Sequence, residues 1–293
     1  MNPHYDVIVV GARVAGSALA YELSRRGFQV LLLDRSTFPS EIVSTHNFFG
    51  NSVAMLREMG VLDRLLATGA PLYKRAVVRF EDAVIDGKFP PADGERHCLC
   101  IRRSHLDRIL FEHAAAQPNV TAAAGFRVTD VLWEDRKVAG VAGVFRNGVQ
   151  RRFSAKLVVG ADGRHSVIRS LVKSRCKISV PTDFASYVGY FRGYKQDGEI
   201  HAELYKMGSG IAIVFPTNDQ LYVVGVMYPL DDETWMRRFK TNPDHAMVEF
   251  VRSRFAGTPL AERIADAALA EPVKGLHGYN NDWYDGMGVG WAL

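Results

Sequence analysis

The chain has 293 residues, 47% of them hydrophobic, enough to bury the core of one large or two intertwined domains. Its 36 basic and 32 acidic residues leave a net charge of +4 with no long basic run, which argues against a nucleic-acid-binding surface. Cys98, Cys100 and Cys176 are too few and too irregularly spaced for a disulfide framework or a zinc site, which favours a reducing, cytoplasmic setting.

No apolar run approaches the roughly 18 residues of a membrane span. Val7 to Leu23 is apolar enough to suggest a signal peptide, but Asp6, Arg13 and Glu22 flank or interrupt it and no basic leader precedes it.

Asp6 to Val10 reads as a buried strand, followed by the turn Gly11-Ala12-Arg13-Val14-Ala15-Gly16 and a helix to Arg26. Gly27 stands where a left-handed helix cap is expected. A second strand, Gln29 to Leu33, closes on Asp34-Arg35. This β-α-β order has the physics of dinucleotide binding. The turn offers backbone N–H groups and a positive helix end to a pyrophosphate, and an acid about 20 residues on takes a ribose hydroxyl pair. One departure stands out: the third place of the turn, where glycine is the rule, is Arg13. Either its side chain contacts a phosphate, or it lies solvated over the turn.

Met55 to Leu66 is expected to be one helix, with Met55, Leu56, Met59, Leu62, Leu65 and Leu66 as its apolar stripe. Tyr73 to Phe80 and Ala83 to Phe89 read as a hairpin turning at Glu81-Asp82. The next helix opens at Arg103-Ser104-His105-Leu106-Asp107, with Ser104 as N-cap and Asp107 in the capping-box place. Phe126 to Trp133, Val138 to Phe145 and Val149 to Phe153 form a meander with turns at Asp135-Arg136-Lys137 and Asn147-Gly148.

Leu157 to Val159 is a further buried strand, from which Gly160-Ala161-Asp162-Gly163 turns sharply into a helix capped by Ser166. A carboxylate at such a turn can accept hydrogen bonds from ribose hydroxyls or backbone amides, and the glycine lets a ligand approach. From Phe184 onward, four alternating strands (185–194, 199–206, 210–215 and 221–227) imply an antiparallel sheet, covered by helices over 232–240 and 244–255.

The segment Gly160 to Arg169, with the N-terminal β-α-β unit, resembles the p-hydroxybenzoate hydroxylase-like flavoprotein monooxygenases and their geranylgeranyl reductase relatives. The resemblance implies an α/β fold: a Rossmann-type FAD-binding domain with an inserted antiparallel β-sheet substrate domain. Its expected bounds are 1–72, 96–179 and 271–293 for FAD, and 73–95 with 180–270 for substrate.

The resemblance further implies FAD and NAD(P)H as cofactors and a small-molecule substrate. It places Gly11, Ala12, Arg13, Val14, Ala15 and Gly16 on the pyrophosphate, Asp34 and Arg35 at the adenine-side ribose, and Arg103, in an Arg-x-x-Leu-Asp pattern, against FAD. Val128 would touch the adenine through its backbone. Asp162 and Gly163 would serve the flavin-side ribose and the nicotinamide approach. Thr45 would bond the flavin or its phosphates. His46 would relay a proton or bind substrate, or else be structural. Tyr187, Tyr190 and Phe215 are pocket-lining or core.

The halogenase branch carries a Trp-x-Trp-x-Ile-Pro strand, and Ile211 to Pro216 has no tryptophan, which disfavours halogenation. Hydroxylation of an aromatic or polyketide-like compound is therefore expected. Flavin-dependent reduction of isoprenoid double bonds, or an inactive nucleotide-binding protein, are the alternatives. Gly290 to Leu293 resembles the start of the strand that in the family runs into a Gly-Asp motif. The sequence stops before it, so a truncated chain that binds FAD weakly or not at all, with exposed apolar surface and lowered stability, is expected, unless a homodimer partner covers it.

Overall fold

A computed structural model describes residues 4–39 and 47–293. The chain forms two compact units: Met1–Ile42, Arg103–Ser179 and Asp282–Leu293 make the first, and Val43–Arg102 with Val180–Asn281 the second. Segments 47–72, 96–102 and 271–281, grouped by sequence with the FAD domain, lie in the second unit.

The first unit is built on β1 (His4–Val10), α1 (Val14–Arg25) and β2 (Val30–Asp34). These strands pair in parallel, and the sheet continues in parallel to Val120–Ala124 on one side and to Gln150–Gly160 and Trp291–Ala292 on the other. The continuous apolar runs follow from burial on both faces. Val7, Val9, Val30 and Leu32 pack with Ala20 of α1 and Ala114 of the helix Arg103–Ala115. Ile8, Val10, Leu31 and Leu33 pack with Phe126, Val131 and Val141 of the meander. Each such fully buried aliphatic side chain contributes about 1.5–3 kcal/mol.

The meander strands are Phe126–Glu134, Lys137–Phe145 and Gln150–Gly160. The last is one continuous strand, not the two short ones expected. It is antiparallel to its meander neighbour from Gln150 to Ser154 and parallel to β1 from Ser154 to Gly160, so the same chain segment joins the meander to the Rossmann core. Gly27 ends α1 with φ +83°, as its position predicts.

The second unit holds the strands Phe184–Arg192, His201–Met207, Gly210–Pro216 and Leu221–Pro229, together with the hairpin Arg75–Phe80 and Ala83–Lys88. Pairing is antiparallel except that Arg75–Phe80 runs parallel to His201–Met207, because the hairpin is added from a distant part of the sequence. Helices Glu233–Thr241, Pro243–Arg254 and Pro259–Ala265 cover one face through Trp235, Phe239, Phe250 and Leu260.

The expected helix over Met55–Leu66 is two, Gly50–Glu58 and Leu62–Leu66. Gly60 takes φ +75° and ends the first helix; Leu56, Met59, Leu62 and Leu65 are buried, while Met55 is 58% exposed. Among the described residues no helix is long and apolar enough to cross a membrane.

Candidate cofactor site

The glycine turn between β1 and α1 is held from both sides. Gly11 N donates to Leu33 O at 2.7 Å, and Ala161 N donates to Val10 O at 2.7 Å. Gly11 has φ +101°, and a Cβ there would stand 2.4 Å from Ala161 O. At Gly16 a Cβ would overlap Gly11 O at 1.7 Å. Both glycines are therefore obligatory for the close packing of turn, helix and the Ala161–Asp162 segment. Ser17, fully buried, fixes the turn by donating from Oγ to Ala12 O at 2.7 Å.

Arg13 does not need to be glycine. Its backbone is extended, φ −87° and ψ −158°, which any residue adopts. It occupies the N-cap of α1 without a capping side-chain bond, and no acid sits in the first turn, so the positive helix end is left to another acceptor. Val14 is half-buried and Ala15 exposed.

Asp34 is 7% exposed at the end of β2. Its Oδ2 accepts from Ala12 N at 2.8 Å and its Oδ1 from Ser36 N at 2.7 Å. The acid thus braces the glycine turn directly, a role its position alone did not reveal. A carboxylate has about four acceptor positions, so two bonds leave capacity for a hydroxyl pair.

Arg103 and Asp107 bring a second charge to the site. Arg103 is the first residue of its helix and Ser104 lies inside it, so Ser104 is not the N-cap, and Asp107 is no capping-box acid. Instead Arg103 Nε and Nη2 donate to the two oxygens of Asp107, which is fully buried. Arg13 Nε lies 3.9 Å from Asp107 Oδ2 and is itself buried without a hydrogen-bond partner. Burial pushes the Asp107 carboxyl up; Arg103 and then Arg13 pull it down, and Asp34 adds repulsion. The sequence signal for this cluster was the i, i+4 spacing of Arg103 and Asp107.

Asp162 follows the strand Gln150–Gly160 beside Gly11, whose missing Cβ would come within 2.8 Å of Asp162 Cα. Its Oδ2 accepts from Val167 N at 2.6 Å and Ile168 N at 3.4 Å, while Ser166 Oγ caps Arg169 N at 3.0 Å as expected. Its Oδ1 is buried with no hydrogen-bond partner. A buried acceptor left unmade costs about 1–3 kcal/mol, so its presence points to a donor brought by a ligand. Gly163 is exposed at φ +82° with nothing near its missing Cβ.

Arg35 is exposed just beyond Asp34. Val128 is 4% exposed in the meander core, so its side chain is not available to a ligand. Thr45 and His46 lie outside the described residues. In the second unit Tyr187 is a core residue, stacked on Phe239 at 4.1 Å under the helices. Tyr190 and Phe215 cluster with Val188 and Val223 on the opposite face of that sheet, where the Arg102 guanidinium lies 5.0 Å over the Tyr190 ring.

The residues present fit a dinucleotide. A glycine cradle, an uncapped helix start, two arginines and an orphaned buried carboxylate oxygen converge at the carboxyl ends of parallel strands. Residues 4–262 match the family of the FAD binding domain, and the chain belongs to that family of p-hydroxybenzoate hydroxylase-like flavoproteins.

It is similar to a kynurenine 3-monooxygenase of Christiangramia forsetii, 26% identical over 83% of this chain and 56% of that protein. It is also similar to the 6-methylpretetramide 4-monooxygenase of Streptomyces rimosus, 32% identical over 57% of this chain and 40% of that protein. The fold superposes on a myxobacterial chondrochloren halogenase with TM-score 0.86 at 21% identity, covering 99% of this chain and 67% of that one. The chain spans about half the length of the curated relatives it matches.

Proposed function

We propose that the protein containing this chain is a cytoplasmic FAD-dependent monooxygenase that consumes NAD(P)H and hydroxylates a small aromatic or polyketide-like compound. The observation that carries the flavin part of this reading is the buried, partnerless Oδ1 of Asp162 beside the glycine turn. The relatives named for monooxygenation of kynurenine and 6-methylpretetramide support the reaction class.

In this reading the N–H groups at the start of α1 receive the pyrophosphate, with Gly11 and Gly16 allowing its approach. Arg13 and Arg103 add positive charge, and Asp107 fixes their orientation. Asp34 and Arg35 take the adenine-side ribose, and Val128 meets the adenine through its backbone. Asp162 accepts a hydroxyl of the flavin-side ribose, next to the open Gly163 through which a nicotinamide approaches. Thr45 and His46 keep their sequence-based roles at the flavin and the substrate. Bound FAD supplies hydride acceptance and oxygen activation. The second unit supplies the substrate-facing sheet.

The solved halogenase shares the fold, but fold does not fix the reaction. The strand Gly210–Pro216 carries no tryptophan. The test is oxygen uptake and NAD(P)H oxidation by the purified protein with a panel of aromatic compounds. Stimulation of both by an aromatic compound is expected. Anaerobic saturation of a prenyl chain with no such stimulation would replace the reading with a reductase.

A further inference from the structure

The hairpin strand Ala83–Lys88 is the edge of the large sheet in the second unit. Among the described residues no strand pairs with its outer side, so every second residue there turns its N–H and C=O away from the sheet. All six residues are exposed, Val84 by 49% and Ile85 by 70%. Proteins ordinarily blunt such an edge with lysine, proline or a bulge, because an open edge pairs with other chains. This strand keeps an unbroken register from Phe80↔Ala83 to Arg75↔Lys88, contains no proline, and has its one lysine at the end.

An apolar row runs out to this edge. Val188, Gly225, Ile213, Leu204, Val78 and Ile85 stand side by side across six strands, on the face opposite the covering helices. Phe80, 58% exposed, is two residues from Val78 on the same face. A solvated face of an antiparallel sheet normally alternates to polar side chains, yet this row stays apolar to its last strand.

The charges at the edge select the occupant. A second copy of this chain can add its own Ala83–Lys88 strand antiparallel, across a two-fold axis perpendicular to the sheet. Matching the faces requires that one residue at the axis meets its own copy, because a one-residue slip would set opposite faces together. With the axis at Ile85, Ile85 meets Ile85 and Asp82 meets Lys88 of the second copy, twice by symmetry. With the axis at Asp86 two acids meet directly, and at Val84 Asp82 meets Asp86. Only the Ile85 register is free of facing acids. Asp86 is already forked by Arg75 at 2.8 and 2.6 Å, whereas among the described residues neither Asp82 nor Lys88 is in an ion pair.

We propose that Ala83–Lys88 is the edge by which two copies of this chain pair in solution, with Ile85 against Ile85 and Asp82 against Lys88. The inference requires nothing of the flavin reading. Two paired six-residue strands make a small interface, so the dimer forms in a concentration-dependent equilibrium.

The test is sedimentation velocity of the purified protein over a concentration series at low ionic strength. It compares wild type with Asp82→Lys, Lys88→Asp, Asp82→Lys/Lys88→Asp and Ile85→Lys. All three positions are exposed, and circular dichroism checks that each variant keeps its fold. Wild type is expected to dimerise. Either single reversal sets like charges opposite each other at two places and should weaken the dimer roughly tenfold or more. The double reversal restores opposite charges and should return the dissociation constant toward the wild-type value. Ile85→Lys places two ammonium groups at the axis and should leave a monomer. A wild type that stays monomeric throughout would overturn the proposal. So would a dimer that Ile85→Lys leaves intact, or single reversals that the double reversal does not rescue.

Discussion

Arg103 and Asp107 stand one helical turn apart and close a two-bond fork of 2.8 and 3.0 Å around a carboxylate that is fully buried. Arg13, replacing a fingerprint glycine, reaches toward the same acid at 3.9 Å, so the glycine turn and the Arg103 helix meet through one charge. Removing one partner of a buried pair leaves the other uncompensated and costs about 3–5 kcal/mol. Asp107→Ala should therefore lower stability by that amount in urea unfolding, and Arg103→Met/Asp107→Leu should recover much of it. A single variant as stable as wild type would show the fork to be without structural weight.

Asp162 makes a different demand. Its Oδ2 is occupied by the start of the helix Val167–Leu171, and its Oδ1 is buried without a hydrogen-bond partner. Asp162→Ala should slow flavin reduction by NAD(P)H in stopped flow more than it lowers the melting temperature. A reduction rate equal to wild type would remove Asp162 from the site.

Gly16 and Gly163 offer a paired comparison. A methyl group at Gly16 would collide with Gly11 O, whereas at Gly163 nothing lies near, and only the positive φ opposes it. Gly16→Ala should cost about 1–3 kcal/mol or more through overpacking and distort the turn. Gly163→Ala should cost about 1–2 kcal/mol of backbone strain. Thermal unfolding monitored by circular dichroism measures both, and a Gly16→Ala protein no less stable than Gly163→Ala would contradict the packing argument.

Glu95 sets an acid limit on the second unit. Burial alone would raise its carboxyl, but the Arg57 guanidinium at 2.5 Å and the N–H groups of His97 and Arg96 outweigh burial and hold it at about 2. Its folded value lies below its ordinary 4.5, so its stabilisation is complete above that value. It is lost as pH falls from about 4.5 toward 2. Urea unfolding across that window should show wild type losing stability more steeply than Glu95→Gln, and equal slopes would contradict the assignment.

Much of this was legible in the sequence because local pattern and tertiary need agree there. Val7 to Val10 and Leu31 to Leu33 are apolar on both faces because both faces are covered, and Gly11, Gly16 and Gly27 stand where only glycine fits or is favoured. The Ser166 cap was readable for the same reason. What was not legible depended on partners distant along the chain. Asp107 reads as a capping acid until Arg103 is seen to fold back on it, and the second task of Asp34, accepting from Ala12 N, is invisible until the turn is folded against it. Tyr187 and Tyr190 are three apart on one strand and fall on opposite faces, which alternation allows but does not label. Met55 to Leu66 kept its helical spacing across a break that Gly60 imposes.

The central claim is that the Gly11 turn, Asp34 and Asp162 form the seat of FAD. Its most direct test is FAD titration calorimetry on the purified protein and on Asp34→Ala. The account predicts one FAD per chain and an affinity weaker in the variant by about 1–3 kcal/mol, the usual cost of removing one partner of a buried hydrogen-bonded group. The same FAD affinity in both proteins would contradict it.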